Sequence, residues 1–116
     1  MHHDWAVGVA NELSEPALAC EAVLAETAFK LRSVEVVLEM IVSELVKVSF
    51  DLNDHLPQLA ALAKRYADRQ PDLADLCLIR MSELYPKHMV ITVDAADFRV
   101  YRRNKREVIP TVCPPN

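Results

Sequence analysis

Short apolar runs and helix-periodic segments take turns along this chain, and that alternation admits few folds. Ala17 to Cys20, Val46-Lys47-Val48-Ser49-Phe50, Met89-Val90-Ile91-Thr92-Val93 and Val108-Ile109-Pro110-Thr111-Val112 have the length and composition of strands. Pro110 lacks an N–H for the ladder and assigns the last of them to a sheet edge. Asp4 caps a helical spacing with apolar residues at 5, 6, 9, 10 and 13, ended by Pro16. A second helix is predicted over Glu21 to Leu31, with Val23, Leu24, Thr27, Ala28 and Leu31 on its apolar face, and a third from Ser33 to about Leu45. Asp54 and Pro57 open another, carrying Leu59, Leu62, Ala63 and Tyr66 to about Asp68; Asp72 opens the last, which stops before Pro86. Strands alternating with helices predict a parallel sheet covered by helices, an α/β fold.

With 116 residues, 52% of them hydrophobic, the chain forms one domain, 1–116, with a single core. It is short for a complete five-stranded unit. No apolar run reaches the roughly 18 residues of a membrane span, and no basic leader precedes an apolar stretch, so a cytoplasmic protein is expected. Cys20, Cys77 and Cys113 lie far apart with no Cys-x-x-Cys, which predicts buried reduced thiols rather than a zinc site or a disulfide framework. Gly8 is the only glycine, so the glycine-rich loops that cradle phosphates in dinucleotide and Walker sites are excluded. The serine-hydrolase elbow and the His-Glu-x-x-His zinc motif are absent as well.

Three carboxylates sit where an α/β fold would gather them. Glu26 follows the first strand, Asp75 stands at a helix start, and Asp94 closes the run 89–93. Ligands of open parallel sheets bind beyond the carboxyl ends of the strands, and a helix returning to feed a strand begins at that edge. Converging carboxylates without a counter-charge are costly unless a cation fills the space, and oxygen ligands suit Mg²⁺ or Mn²⁺. The net charge of −4 argues against bulk attraction to nucleic acid, yet Arg99, Arg102, Arg103, Lys105 and Arg106 are packed into eight residues just after Asp94.

Taken together, Cys20-Glu21-Ala22-Val23-Leu24-Ala25-Glu26-Thr27-Ala28, Pro71-Asp72-Leu73-Ala74-Asp75-Leu76 and Ile91-Thr92-Val93-Asp94-Ala95-Ala96-Asp97-Phe98-Arg99-Val100-Tyr101 resemble a PIN domain of the VapC toxin type. Nearly the whole chain takes part. The resemblance implies a three-layer fold with a parallel sheet flanked by helices, and a metal-dependent ribonuclease, a toxin held inactive by an antitoxin protein. It implies that Glu26, Asp75 and Asp94 hold Mg²⁺ or Mn²⁺ as the catalytic set, with Asp97 and Asp72 as weaker ligands and Thr92 steadying the strand end. Arg99, Arg102, Arg103, Lys105 and Arg106 would then meet RNA phosphates.

The family pattern begins with an apolar strand that lies mid-sheet and ends in a further catalytic Asp; that strand has no counterpart here. The PIN-like domain is therefore expected to be N-terminally incomplete, with a true start upstream of Met1 and a homodimer sustaining the short form. Strands 17–20 and 89–93 are then expected either adjacent or separated by an inserted strand from another chain. Plainer readings stand beside these: Asp72 and Asp75 as helix-capping acids, Glu26 on a solvated face, Asp94 and Asp97 as turn formers, and the basic run as a solvated loop. The rival to an enzyme is a PIN-fold binding module without catalysis; a third option is an ordinary α/β domain with surface acids.

Overall fold

The computed structural model describes residues 15–92, 101–104 and 106–112. Asp94, Asp97, Arg99, Lys105, Cys113 and the helix expected over 4–13 lie outside the described residues. The chain runs β1 (Ala17–Ala19), α1 (Glu21–Leu31), α2 (Val34–Val42), β2 (Val46–Val48), a 3-10 turn (Leu52–His55), α3 (Leu56–Arg65), a second 3-10 turn (Ala67–Arg69), α4 (Leu73–Leu84), β3 (Val90–Ile91), β4 (Arg102–Arg103), β5 (Glu107–Val108) and β6 (Thr111–Val112). This is the mixed α/β architecture expected from the alternation.

Four strands form one parallel sheet in the order β2-β1-β3-β6, and β4 and β5 form a separate antiparallel ribbon. The centre is β1, which pairs with β2 on one side (Leu18 opposite Lys47) and β3 on the other (Leu18 opposite Val90). Strands 17–19 and 90–91 are thus direct neighbours: Leu18 N–H donates to the Met89 carbonyl at 2.9 Å. Their burial follows from position. Every residue of β1 and β3 is buried, as in a parallel strand covered on both faces, whereas edge strand β2 buries only Val46 and turns Lys47 outward.

The helices start and stop for local reasons. Ser33 caps α2, its hydroxyl accepting from the Val36 N–H at 3.1 Å. That helix ends at Val42, three residues before the expected Leu45, because Glu44 adopts the left-handed region at φ 61° and the Leu45 N–H folds back onto the Met40 carbonyl at 3.0 Å. Inside α1, Thr27 is fully buried and satisfies its own hydroxyl on the Val23 carbonyl at 2.8 Å. The most buried helix is α4, whose Leu76, Cys77, Leu78, Ile79 and Met81 enter the core with β1, β3 and Val23 of α1. On α2, Val34, Leu38 and Val42 recur every fourth residue and are exposed.

The stretch expected as one edge strand over 108–112 is split. Val108 belongs to the β4–β5 ribbon and Thr111–Val112 to the sheet, with Ile109 buried and Pro110 between them. Pro110 has no N–H to continue a ladder, yet its carbonyl accepts from Val90 N–H at 3.1 Å and so starts the β6 pairing. Among the described residues no helix is long and apolar enough to cross a membrane.

Candidate functional site

All four sheet strands point the same way, so their carboxyl ends share one rim, and α4 begins at that rim because it runs back to feed β3. From β1 the chain passes through Cys20 straight into α1; from β2 it passes through Phe50 and Asp51 into the first 3-10 turn; β3 ends at the buried Thr92. Three sequence-distant segments therefore meet within a small region.

The acids occupy the side where α1 packs on α4. Glu26 stands on the second turn of α1, half-buried, and burial first and the negative charge of Asp72 second push its carboxyl above the usual carboxylate range. A carboxylate of α1 and one at the head of α4 thus feel each other across 46 positions of sequence. Asp72 and Asp75 form a reciprocal capping box: the Asp75 N–H donates to Asp72 Oδ1 at 2.8 Å, and the Asp72 N–H donates to Asp75 Oδ2 at 3.4 Å. The second bond is long because aspartate is one methylene shorter than the glutamate usual at that place. Both acids thus do the capping work that the plainer reading assigned them. Capping does not exhaust them, since a carboxylate offers about four lone-pair sites.

Of the expected metal set, Glu26, Asp72 and Asp75 are therefore gathered around the α1–α4 contact, while the segment carrying Asp94 and Asp97 continues from Thr92 outside the described residues. Among the described residues no three His, Cys, Asp or Glu side chains close into a metal-holding group. The chemistry of the donors suits a hard cation in one respect: the negative charge of Asp72 raises the cost of ionising Glu26, which a divalent ion between them would remove.

The basic run divides in two. Arg103 turns inward and is 9% exposed. Its Nε donates to Glu107 Oε2 at 3.0 Å, and its terminal nitrogen donates to the Pro86 carbonyl at 2.8 Å and the Ser82 carbonyl at 3.4 Å. Through these bonds its guanidinium clamps the β4–β5 ribbon to the end of α4. Arg102 is half-buried beside it and places a terminal nitrogen 2.9 Å from the Tyr101 carbonyl; Arg106 is exposed on the ribbon turn. Tyr66 pins the ribbon from α3: its hydroxyl accepts from the Arg102 N–H at 3.1 Å and lies 3.3 Å from the Arg102 carbonyl. Its ring meets the Tyr101 ring edge-on, 4.9 Å between centroids.

Beside the acids, a cavity of about 410 Å³ opens at the same rim, lined by Cys20, Glu21, Ala22, Phe50, Asp51, Leu52, Leu73 and Cys77. Phe50 stacks on His55 at 4.8 Å, and the His55 ring is fixed through Nδ1 by Arg80 Nε at 3.3 Å. Cys20 and Cys77 are free and buried, as expected, but they are not independent. Each thiol shifts the titration of the other. Hydrogen bonding from the Cys77 thiol above all lowers the Cys20 pKa to about 7; burial opposes it. The same hydrogen bond, followed by burial, pushes the Cys77 thiol up. Thiolate at Cys20 is therefore present at neutral pH and falls away as pH drops below about 7. This pair was missed in the sequence because its members are 57 positions apart; the one available signal was that Cys20 ends a strand and Cys77 follows Asp75 by two residues.

Comparison with protein-family models, with curated proteins and with solved structures finds no match for this chain.

Proposed function

We propose that the chain is a PIN-like, Mg²⁺- or Mn²⁺-dependent endoribonuclease whose partners are RNA, an antitoxin protein and a second copy of itself in a homodimer. The observation that carries this reading is the meeting of Glu26 on α1 with the acidic head of α4 at the carboxyl rim of a parallel sheet, where β3 ends in Thr92. A site filled from that arrangement needs one more carboxylate, and Asp94 follows Thr92 by two residues. In the resemblance β1 and β3 would be the two strands that flank the family's leading strand, and here they pair with each other.

In this reading Glu26, Asp75 and Asp94 hold the cation, Asp72 fixes the first turn of α4, and the buried Thr92 steadies the end of β3. The bound ion supplies an activated water and charge stabilisation at the phosphorus. Arg102 and Arg106 on the ribbon, with Arg99 and Lys105, orient the RNA backbone, while Arg103 keeps the ribbon in place.

A second reading, a PIN-fold binding module without catalysis, is favoured by a different observation. Asp72 and Asp75 satisfy each other as caps, and β1 and β3 are paired with no room for a strand between them. The two separate in an RNA cleavage assay with Mn²⁺ or Mg²⁺. The nuclease reading expects cuts that stop with chelator and fall at least about a hundredfold in Asp75→Asn and Asp94→Asn. RNA retained uncut, or cutting that survives both substitutions, refutes it.

A further inference from the structure

We propose that the outer face of α2 is the surface on which two copies of this chain join, antiparallel about a two-fold axis at Leu38. This face is the interface of the homodimer proposed above and rests on that part of the reading alone, with nothing drawn from the metal site. All residues of α2 except Glu35 and Glu39 are apolar. A helix that is apolar all round is expected to be covered on more than one side. Its own domain covers one: Val37 and Met40 enter the core, and Val36 and Ile41 are half-buried against it. On the other, Val34, Leu38 and Val42 remain 64%, 55% and 82% exposed. Phe29, 88% exposed, adjoins the head of α2, where the Arg32 N–H donates to its carbonyl at 3.2 Å.

Area and charge select a second copy as the occupant. Together these four residues expose about 500 Å² of apolar surface, at the upper end of what a monomer leaves open and over half of the roughly 800 Å² that each partner of a stable complex buries. Rows of residues four apart are the ridges along which two helices interdigitate. Turned antiparallel, the row meets itself, with Leu38 against the partner's Leu38 and Val34 against the partner's Val42, the self-complementarity a two-fold contact needs. Arg32 precedes Leu38 by six positions and Glu44 follows it by six, and both are exposed. The antiparallel register therefore brings Arg32 toward the partner's Glu44, whereas a parallel one sets like charge against like. As rim charges they set orientation more than affinity. The end of α2 lies by the start of β1, where the Ala17 N–H donates to the Leu45 carbonyl at 3.0 Å. That is the edge opposite the carboxyl rim, so pairing and cation binding are read separately.

Sedimentation equilibrium of the full chain over a concentration series gives its mass and dissociation constant, with far-UV circular dichroism and the urea midpoint recorded for every variant. The wild-type chain is expected at twice its 13.1 kDa. Leu38→Glu places a charge on each side of the axis and should raise the dissociation constant by at least about a hundredfold with the helix signal kept, because Leu38 is exposed. Val42→Glu, at a residue still more exposed, repeats the test. Arg32→Glu should weaken pairing by about tenfold, and adding Glu44→Arg should restore it. A wild-type chain that sediments at 13.1 kDa overturns the interface and the homodimer together and leaves the nuclease reading to the cleavage assay. A dimer indifferent to Leu38→Glu and Val42→Glu overturns the interface alone, and a dimer that they split but that the double charge reversal fails to restore overturns the antiparallel register.

Discussion

Glu44 turns the chain out of α2 with φ at 61°, and among the described residues Arg32, Gln70 and Asn104 also lie in the left-handed region. Of these four, only asparagine adopts it readily; for other L-residues it costs about 1–2 kcal/mol. A chain whose one glycine is Gly8 has no better residue at these corners. Glu44 is exposed, so its replacement changes the corner and little else. Glu44→Gly should raise unfolding free energy by about 0.5–1 kcal/mol, the relief of strain less the larger unfolded-state entropy of glycine. Urea denaturation measures it, and a loss of stability would show that the corner is held by the Glu44 side chain instead.

At the scale of elements, α4 links the core to the rim. Its apolar side chains fill the space beneath β1 and β3, its first turn is fixed by the Asp72–Asp75 box, and its end is gripped by Arg103 through the Ser82 and Pro86 carbonyls. Arg103→Met keeps the stem but leaves those carbonyls and Glu107 without their donor. An unmade buried hydrogen bond costs about 1–3 kcal/mol, so a loss of about 2 kcal/mol is expected in urea, with RNA affinity changed only as far as the ribbon loosens. Unchanged stability with a clear drop in RNA affinity would return Arg103 to the phosphate-binding set.

Much at this scale was readable beforehand. The bounds of α1 and the cap of α4 followed from Val23, Leu24 and Leu31 at helical spacing and from Asp72 three residues ahead of Asp75. The β4–β5 ribbon was not legible, because a run of five basic residues reads as a solvated loop unless one of them is known to be buried. That burial is set by α4, whose Ser82 lies 21 residues away. The early end of α2 escaped for the reason that Glu44 gives no left-handed signal, and Cys20 and Cys77 come to line one cavity only after α4 has docked on β1.

For the molecule as a whole, a β1–β3 pairing at the sheet centre decides what the rim can hold. It sets α1 and α4 side by side, so Glu26 and Asp72 meet with like charge. The candidate site was legible as residue types in an α/β order; its closeness was not, since the approach of Glu26 to Asp72 depends on how two helices pack. The most direct measurement is a calorimetric titration of the metal-free chain with Mn²⁺, repeated with Glu26→Gln and Asp94→Asn. A saturable isotherm for the wild-type chain that vanishes in both variants is the predicted result; no heat of binding, or an isotherm indifferent to both substitutions, would contradict a cation site at this rim.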